Sequence, residues 1–225
     1  MIMSRTNKTF KQKLFEQFAR LGKALGSEVR LELIELLIQC PTAVEDLATK
    51  VKLPIANVSQ HLQVLKQVGL VKTAREGKSI IYTVGDRDVV ELFLKLQGVA
   101  KRHIDEVDQL VERYLTAKDD LEGLSVNQVL SMAKRGEITL LDVRPKEEYA
   151  HSHLEGAINI TLEELEERLG DLPKSKMIVA YCRGSYCILS YEAVKRLRER
   201  GYRAMRTEDG IPNWVEQKVK LAKHG

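Results

Sequence analysis

The sequence is poor in cysteine, proline and aromatic residues. It holds 3 cysteines, 5 prolines and 1 tryptophan among 225 residues, and aromatics make up 5%. So few cysteines, odd in number, in a chain this long argue against a disulfide scaffold. They fit a reducing compartment where thiols stay available, so a cytoplasmic location is expected. No apolar run approaches the roughly 20 residues that a membrane span needs, and no membrane partner is expected. The stretch MIMSRTNKTFKQKLFEQF has no uninterrupted apolar segment and no small-residue cleavage site, so no signal peptide is expected. There are no repeats and no low-complexity tracts.

What is present divides the chain. Residues 1–84 carry 13 Lys and Arg against 7 Asp and Glu, whereas residues 118–225 carry 18 of each. The excess positive charge therefore sits in the first third, which points to an anionic partner there, nucleic acid foremost. TAKDDLEGLS, from Thr116 to Ser125, is polar and contains Gly123. It marks a boundary, giving domains at 1–117 and 118–225.

The first domain reads as helices with one hairpin. Phe10, Leu14, Phe18 and Leu21 recur at helical spacing. Ser27 is placed to cap a second helix, and Thr42-Ala-Val-Glu45 has the form of a capping box opening a third. Pro54 stands where a fourth helix begins, with Val58, Leu62, Leu65 and Val68 inward and Gly69 at its end. Two strand-like runs then flank Glu76-Gly77-Lys78 as a β-hairpin. Asp88 to Leu115 shows one long apolar stripe. Helix, turn, helix and hairpin form a winged helix-turn-helix, whose second helix enters the major groove. On that helix Asn57, Ser59, Gln60 and Gln63 are polar and face away from Val58, Leu62 and Leu65. Amides and hydroxyls of this kind read base edges. Lys66, and Arg75 and Lys78 on the hairpin, are placed for phosphates, and His61 for helix packing or phosphate contact.

The second domain alternates strand and helix: a capped helix from Ser125, a strand Ile138–Val143, a helix Leu162–Leu169, a strand Met177–Cys182, a helix Ile188–Arg200 and a strand Tyr202–Thr207. This pattern implies an α/β fold with a parallel sheet. Its distinctive stretch is YCRGSYCILSYEAVKRL, in which Cys182 and Cys187 flank Arg183-Gly184-Ser185-Tyr186 between a strand and a helix. A zinc site ranks low, because the amides of a strand-to-helix turn attract anions. A simple redox pair more often shows Cys-x-x-Cys. A nucleophilic Cys182 fits better: Gly184 would permit a tight loop, and the amides of residues 183–187 would converge on the sulfur and lower its pKa. Phosphate or arsenate chemistry with a Cys-x5-Arg loop would need Arg where Ile188 stands. Sulfur transfer needs room for one added sulfur atom only. Cys187 is either a second thiol that attacks a Cys182 persulfide or a small residue of the helix's first turn, and both readings stay open.

LGSEVRLELIELL, continued by VEDLATKVKLPIANVSQHLQVLKQVGLVKTAREGKSIIYTV, resembles the ArsR-type winged-helix regulators of bacteria, over about residues 10–117. That resemblance implies a homodimer joined through the first and last helices, a double-stranded DNA operator as partner, and repression. The cysteine and histidine spacings of the family's metal sensors are missing, so neither a metal site nor a cofactor is expected. Cys40 reads as a small buried hydrophobe. LLDVRPKEEYAHSHLEGAINI, followed by the cysteine loop and GYRAMRTEDGIPNWVEQ, is similar to the rhodanese (sulfurtransferase) family. By that resemblance Cys182 carries a persulfide, and Asp142 and Arg144 hold the loop and its neighbours. The donor would be thiosulfate, a persulfide or a polysulfide. Cys187 stands where a basic or hydroxyl residue is often found, which turns the preference from the thiosulfate dianion toward a donor of lower charge, with Arg183 able to restore some of the positive charge. Together the parts imply a sulfur-responsive DNA-binding regulator. The alternative is a sulfurtransferase with an appended DNA-binding domain, with arsenate or phosphate chemistry behind both.

Overall fold

The computed structural model describes residues 8–116, 119, 122–217 and 219–223. The chain forms two compact units, Met1–Val89 and Val90–Gly225. The expected boundary between Ala117 and Lys118, like the first residues of the amino-terminal stretch, lies outside the described residues.

The first unit begins with α1 (Phe10–Leu25) and α2 (Glu28–Gln39). A reciprocal box between Thr9 and Gln12 opens α1, whereas Ser27 stands at the start of α2 without a side-chain capping bond. There follow β1 (Thr42–Ala43), α3 (Val44–Val51), α4 (Ile55–Gln67), β2 (Val71–Glu76) and β3 (Ser79–Val84). Thr42 does not cap α3 as expected. It pairs with Tyr82 across the sheet, its hydroxyl donates to the Cys40 carbonyl at 3.0 Å, and α3 starts at Val44 behind Ala43. Pairing of Thr42 into the sheet overrides the local capping pattern. The turn from α3 to α4 passes through Lys52 in the left-handed region (φ 55°). The hairpin closes through Gly77 at φ 61°, a conformation glycine adopts without a Cβ penalty, and Glu76 pairs with Ser79. The three strands form one antiparallel sheet in the order β1-β3-β2. Val58, Leu62 and Leu65 of α4 are fully buried, a spacing that places one face of the helix in the core.

The last helical pattern of the winged-helix reading is broken rather than continuous. The helix α5 (Arg87–His103) ends before Ile104, whose extended backbone (φ −122°, ψ 100°) starts α6 (Asp105–Val111). A wider turn of π type then spans Glu112–Thr116.

The rest of the second unit comprises α7 (Val126–Lys134), β4 (Ile138–Asp142), α8 (Lys146–His151), β5 (His153–Leu154), β6 (Ile158–Asn159), β7 (Met177–Tyr181), α9 (Ile188–Glu199), β8 (Ala204–Arg206), α10 (Ile211–Glu216) and β9 (Leu221–Ala222). Ser125 and Gln128 form the expected capping box at α7. The expected helix over Leu162–Leu169 is a run of turns ending in a 3-10 turn at Leu169–Asp171. Strands β6-β4-β7-β8 form a four-stranded sheet, parallel throughout. Strand alternation sorts its side chains into two cores. Leu141 and Val143, with Ile178, Ala180 and Cys182, join Ala193, Val194 and Leu197 of α9. Ile138 and Leu140, with Val179 and Tyr181, join Val126, Val129 and Trp214 of α7 and α10. Helices thus cover both faces, as the alternating sequence requires. The residue at position 182 continues the β7 alternation toward α9, at the carboxyl end of the strand, where open α/β sheets place their ligand sites.

Candidate functional site

The first constellation is the exposed side of α4 with the hairpin. Asn57, Gln60 and Gln63 are exposed, and Ser59 and His61 are half-buried. Lys66, Arg75 and Lys78 are exposed. Lys66 donates to the Thr73 hydroxyl at 2.8 Å, and Arg75 to the Gly77 carbonyl at 3.2 Å, so both cations are held against the hairpin. Gln63 is not free to face outward alone, because its side chain hydrogen-bonds the Tyr82 hydroxyl. Burial raises the Tyr82 pKa and that bond opposes the rise. The amides and cations of α4 and the wing thus lie on the solvent side of one helix and one hairpin.

The second constellation is the loop from Cys182 to Cys187. Its two cysteines are joined as a disulfide, with Cα atoms 6.4 Å apart, within the span such bonds bridge. The open, ionised thiol expected at position 182 is not what stands there. Cys182 is 2% exposed, within the α9-side core, with its sulfur 3.6 Å from the Cys187 carbonyl oxygen. The alternation of β7 carries it inward, and the bond to Cys187 closes over it. The expected ring of five amides is also reduced, since the Cys187 N–H donates to the Gly184 carbonyl at 3.0 Å. Glycine at 184 meets no special demand: its φ is outside the left-handed region and a Cβ there would meet open space. The demand falls on Gly210, where a Cβ would lie 2.5 Å from the backbone of Arg183 and Gly184. Gly210 therefore forms the wall on which the loop rests.

Side chains fix the rest of the loop. Arg183 makes a forked pair with Glu148, with Nη2 at 2.6 Å and Nε at 3.0 and 3.1 Å from the carboxylate oxygens. Glu148 is almost fully buried, so this pair ties the loop to α8 and neutralises the Arg183 charge. Ser185 donates to Asp209 at 3.4 Å, and the Tyr191 hydroxyl donates to the Ser185 carbonyl at 3.4 Å. Beneath lies a second ion pair, Asp142 with Arg144, both fully buried and 2.7 Å apart. Arg144 also donates to the Ser152 carbonyl at 2.6 Å, and its own N–H is accepted by Asp142. Burial works against the Arg144 charge, and the neighbouring Asp142 carboxylate outweighs it, so its pKa is raised. Asn159 bridges the carbonyls of Asp142 and Arg144 at 3.0 and 2.9 Å. Asp142 is paired with Tyr181, the residue before Cys182, so this buried network supports the root of the loop.

The structure places Asp142 beside Tyr181 and Arg144 over the Tyr181 ring, at the root of residues 182–187. It gives contacts to Glu148 and Gly210, both part of the rhodanese-like resemblance in the sequence, and adds Asp209. Glu148 is a residue of the rhodanese-like motif to which the sequence assigns no role, and its pairing 35 residues away with Arg183 supplies one. Among the described residues no group of three or more His, Cys, Asp or Glu is arranged to hold a metal ion, and no helix is long and apolar enough to cross a membrane. Two cysteines joined in this way can pass between a disulfide and a dithiol by thiol exchange. A helix presenting amides beside a cationic hairpin can read DNA.

Known proteins show the same two parts. A family model for the bacterial regulatory protein arsR family matches residues 27–73, and one for the rhodanese-like domain matches residues 125–217. The HTH-type transcriptional regulator Rv0324 of Mycobacterium tuberculosis is 40% identical over 204 residues, covering 91% of this chain and 89% of its own. Among solved structures, the homodimeric winged helix-turn-helix DNA-binding domain of Mb0332 from Mycobacterium bovis is 39% identical and covers 45% of this chain and 94% of that chain, at a TM-score of 0.41. A rhodanese-related protein of Thermoplasma volcanium is 25% identical and covers 45% of this chain and 98% of that chain, also at 0.41. With a relative that spans nearly the whole of both sequences and the two family models matched in this order, the chain belongs to the ArsR family of bacterial DNA-binding transcriptional regulators, in a form that carries a rhodanese-like domain.

Proposed function

We propose that this regulator binds its operator as a homodimer, and that the redox and sulfur state of Cys182 and Cys187 sets its affinity for DNA. The observation that carries the reading is the joining of the two thiols at the carboxyl end of β7, in a chain that also holds a winged helix. The functional division falls at 1–117 and 118–225, with α5 and α6 serving the dimer. Each of α1 and α5 exposes an apolar stripe that a second copy would cover: Phe10, Phe15 and Phe18 on one, Leu92, Leu96 and Val99 on the other.

The chemistry runs in two steps. With the pair reduced, the Cys182 thiolate attacks the outer sulfur of a donor R–S–SH, and R–S⁻ leaves. Cys182 then carries a persulfide. The Cys187 thiolate attacks the Cys182 sulfur, the terminal sulfur leaves as HS⁻, and the disulfide forms. Two thiols are oxidised and one sulfane sulfur is reduced to sulfide. Because Arg183 is committed to Glu148, the loop offers no spare positive charge to a dianion, which favours a neutral or singly charged persulfide or polysulfide over thiosulfate. A dithiol that closes on itself suits a switch better than a sulfurtransferase, which must hand its sulfur to an acceptor. Repression of the target genes is the direction the family resemblance implies.

Mass spectrometry after polysulfide treatment tests the chemistry. The reduced full chain is expected to pass to a form with Cys182 and Cys187 bridged, directly or through added sulfur. Cys187→Ser is expected to stop at a persulfide on Cys182. Adducts that are the same in both proteins would remove Cys187 from the reaction. The DNA half has its own test. Gln60→Ala is expected to cost about 1–3 kcal/mol of discrimination at one base position. Lys66→Ala is expected to weaken all sequences alike and to reduce the salt slope by about 1. Titrations of both variants against matched and mismatched duplexes at several salt concentrations separate the two roles.

A further inference from the structure

The stretch Thr116–Ser125 reads in the sequence as a polar connection between two domains, yet one of its acids is buried. Asp119 is 3% exposed. Its carboxylate oxygens lie 2.8 Å from Arg198 Nη1 and 3.2 Å from Arg206 Nε, so residues of α9 and β8 share it. Its N–H donates to the Leu115 carbonyl at 3.2 Å, which joins it to the wider turn that follows α6. Further on, Leu124 runs parallel to Thr207, with its N–H on the Arg206 carbonyl at 2.9 Å and its carbonyl taking the Glu208 N–H at 3.0 Å. A Cβ at Gly123 would lie 2.6 Å from the Glu208 nitrogen, so only glycine allows this approach. A solvated linker has no use for a buried carboxylate. Taking one out of water costs free energy even when it is paired, and such pairs are best attested where they fix a register or a switch.

The other end of the arrangement is the cysteine loop. Cys187 stands immediately before α9, and Arg198 is in the last turn of the same helix. At about 1.5 Å per residue, about 16 Å of helix separates them. Ala193, Val194 and Leu197 pack α9 into the core between these ends. The Arg206 guanidinium lies 4.1 Å from the Tyr191 ring centre, and the Tyr191 hydroxyl reaches the Ser185 carbonyl of the loop at 3.4 Å. Asp119 is therefore connected to residues 185 and 187 by one helix and by one stacked side chain.

We infer that Asp119 is the positioning residue that passes the thiol state of Cys182 and Cys187 to the helical segment behind the winged helix. The inference rests on the proposed control of DNA affinity and names the contact through which that control acts. With the two cysteines joined, the start of α9 is tied to the end of β7 and Arg198 meets Asp119. With the bond open, the start of α9 is released. A shift of about 1–2 Å, the usual size for packed helices, is enough to loosen the ion pair at the far end. The turn after α6 is then held less firmly, and α6 follows α5, which starts directly after the wing.

Hydrogen exchange of the full chain tests this without DNA, after reduction with a phosphine and after bridging with diamide. In the wild type, amides of residues 112–124 are expected to exchange about threefold faster or more with the pair reduced than with it bridged. Asp119→Asn keeps the shape and removes the charge, and Arg198→Gln removes the partner. In both, the two thiol states are expected to share the fast rate, while mass spectrometry shows the cysteines bridging at close to the wild-type rate. A purely structural role would instead speed exchange and keep the difference between the states. Equal exchange in the two states of the wild type, or a difference of wild-type size in both variants, overturns the inference. The wild-type comparison decides by itself if a variant fails to fold. In titrations of operator duplex both variants are expected to keep less than about a third of the wild-type shift. Exchange that follows the thiol state, with operator affinity that does not, overturns the proposed control of DNA and leaves the Asp119 contact standing. Operator affinity that shifts without any change in exchange does the reverse.

Discussion

Asp142→Ala is expected to lower the stability of the second unit by about 3–5 kcal/mol, because it leaves a buried guanidinium without its carboxylate. Asp142 accepts from the Arg144 backbone N–H, from Nε and from Nη2, and neither side chain is exposed to water. An exposed pair such as Arg135 with Glu137 lies at the other extreme, where loss of one partner moves stability little. The effect is local and can be read locally. Trp214 is the one tryptophan of the sequence and is fully buried in the core of the second unit. Urea unfolding followed by its fluorescence therefore reports that unit. A midpoint for Asp142→Ala that moves by less than about 1 kcal/mol would show that water or a rearranged neighbour compensates the charge. The winged helix is expected to keep its affinity for duplex DNA in this variant when assayed in the absence of denaturant.

The consequences reach the cysteine loop. Asp142 ends β4 and is paired with Tyr181, whose neighbour is Cys182. Weakening that pairing loosens the root of the loop, while Gly210 and the Glu148–Arg183 pair still hold its crown. Stability and the proposed sulfur chemistry thus share residues at one end of the sheet.

Much of this was legible in the sequence where local chemistry decides the outcome. Gly77 between two β-rich runs closes a hairpin, Pro54 precedes α4, and Ser125 with Gln128 caps α7. The runs Ile138–Val143 and Met177–Cys182 become central parallel strands because their near-continuous apolar character suits burial on both faces. What the sequence hides is settled by contacts between distant residues. Thr42 has the pattern of a cap and is captured by Tyr82 instead. Ile104 continues an apolar stripe and yet interrupts the helix. Leu162–Leu169 has helical spacing and makes turns. Glu148 and Gly210 acquire their roles only when α8 and the start of α10 close around residues 183 and 184. The motif placed Cys182 at the end of β7, at the start of the loop. It did not tell that Cys182 would lie shut beneath Cys187, which follows from the alternation of β7 and the reach of the loop.

The coupling between sulfur and DNA remains the central claim, and the expected effect is large. A coupling free energy between two sites is commonly about 1–3 kcal/mol, or roughly 5- to 150-fold in affinity. Treatment of the reduced full chain with polysulfide is accordingly expected to change its affinity for operator duplex by about tenfold or more. Cys182→Ser removes the atom proposed to receive sulfur and lies outside the winged helix, so its affinity is expected to stay constant under the same treatment. The decisive measurement is a titration of fluorescent operator with reduced and polysulfide-treated protein, wild type beside Cys182→Ser. The account predicts a shifted curve for wild type alone. Superimposed curves for the treated and reduced wild type, or an equal shift in Cys182→Ser, would contradict it.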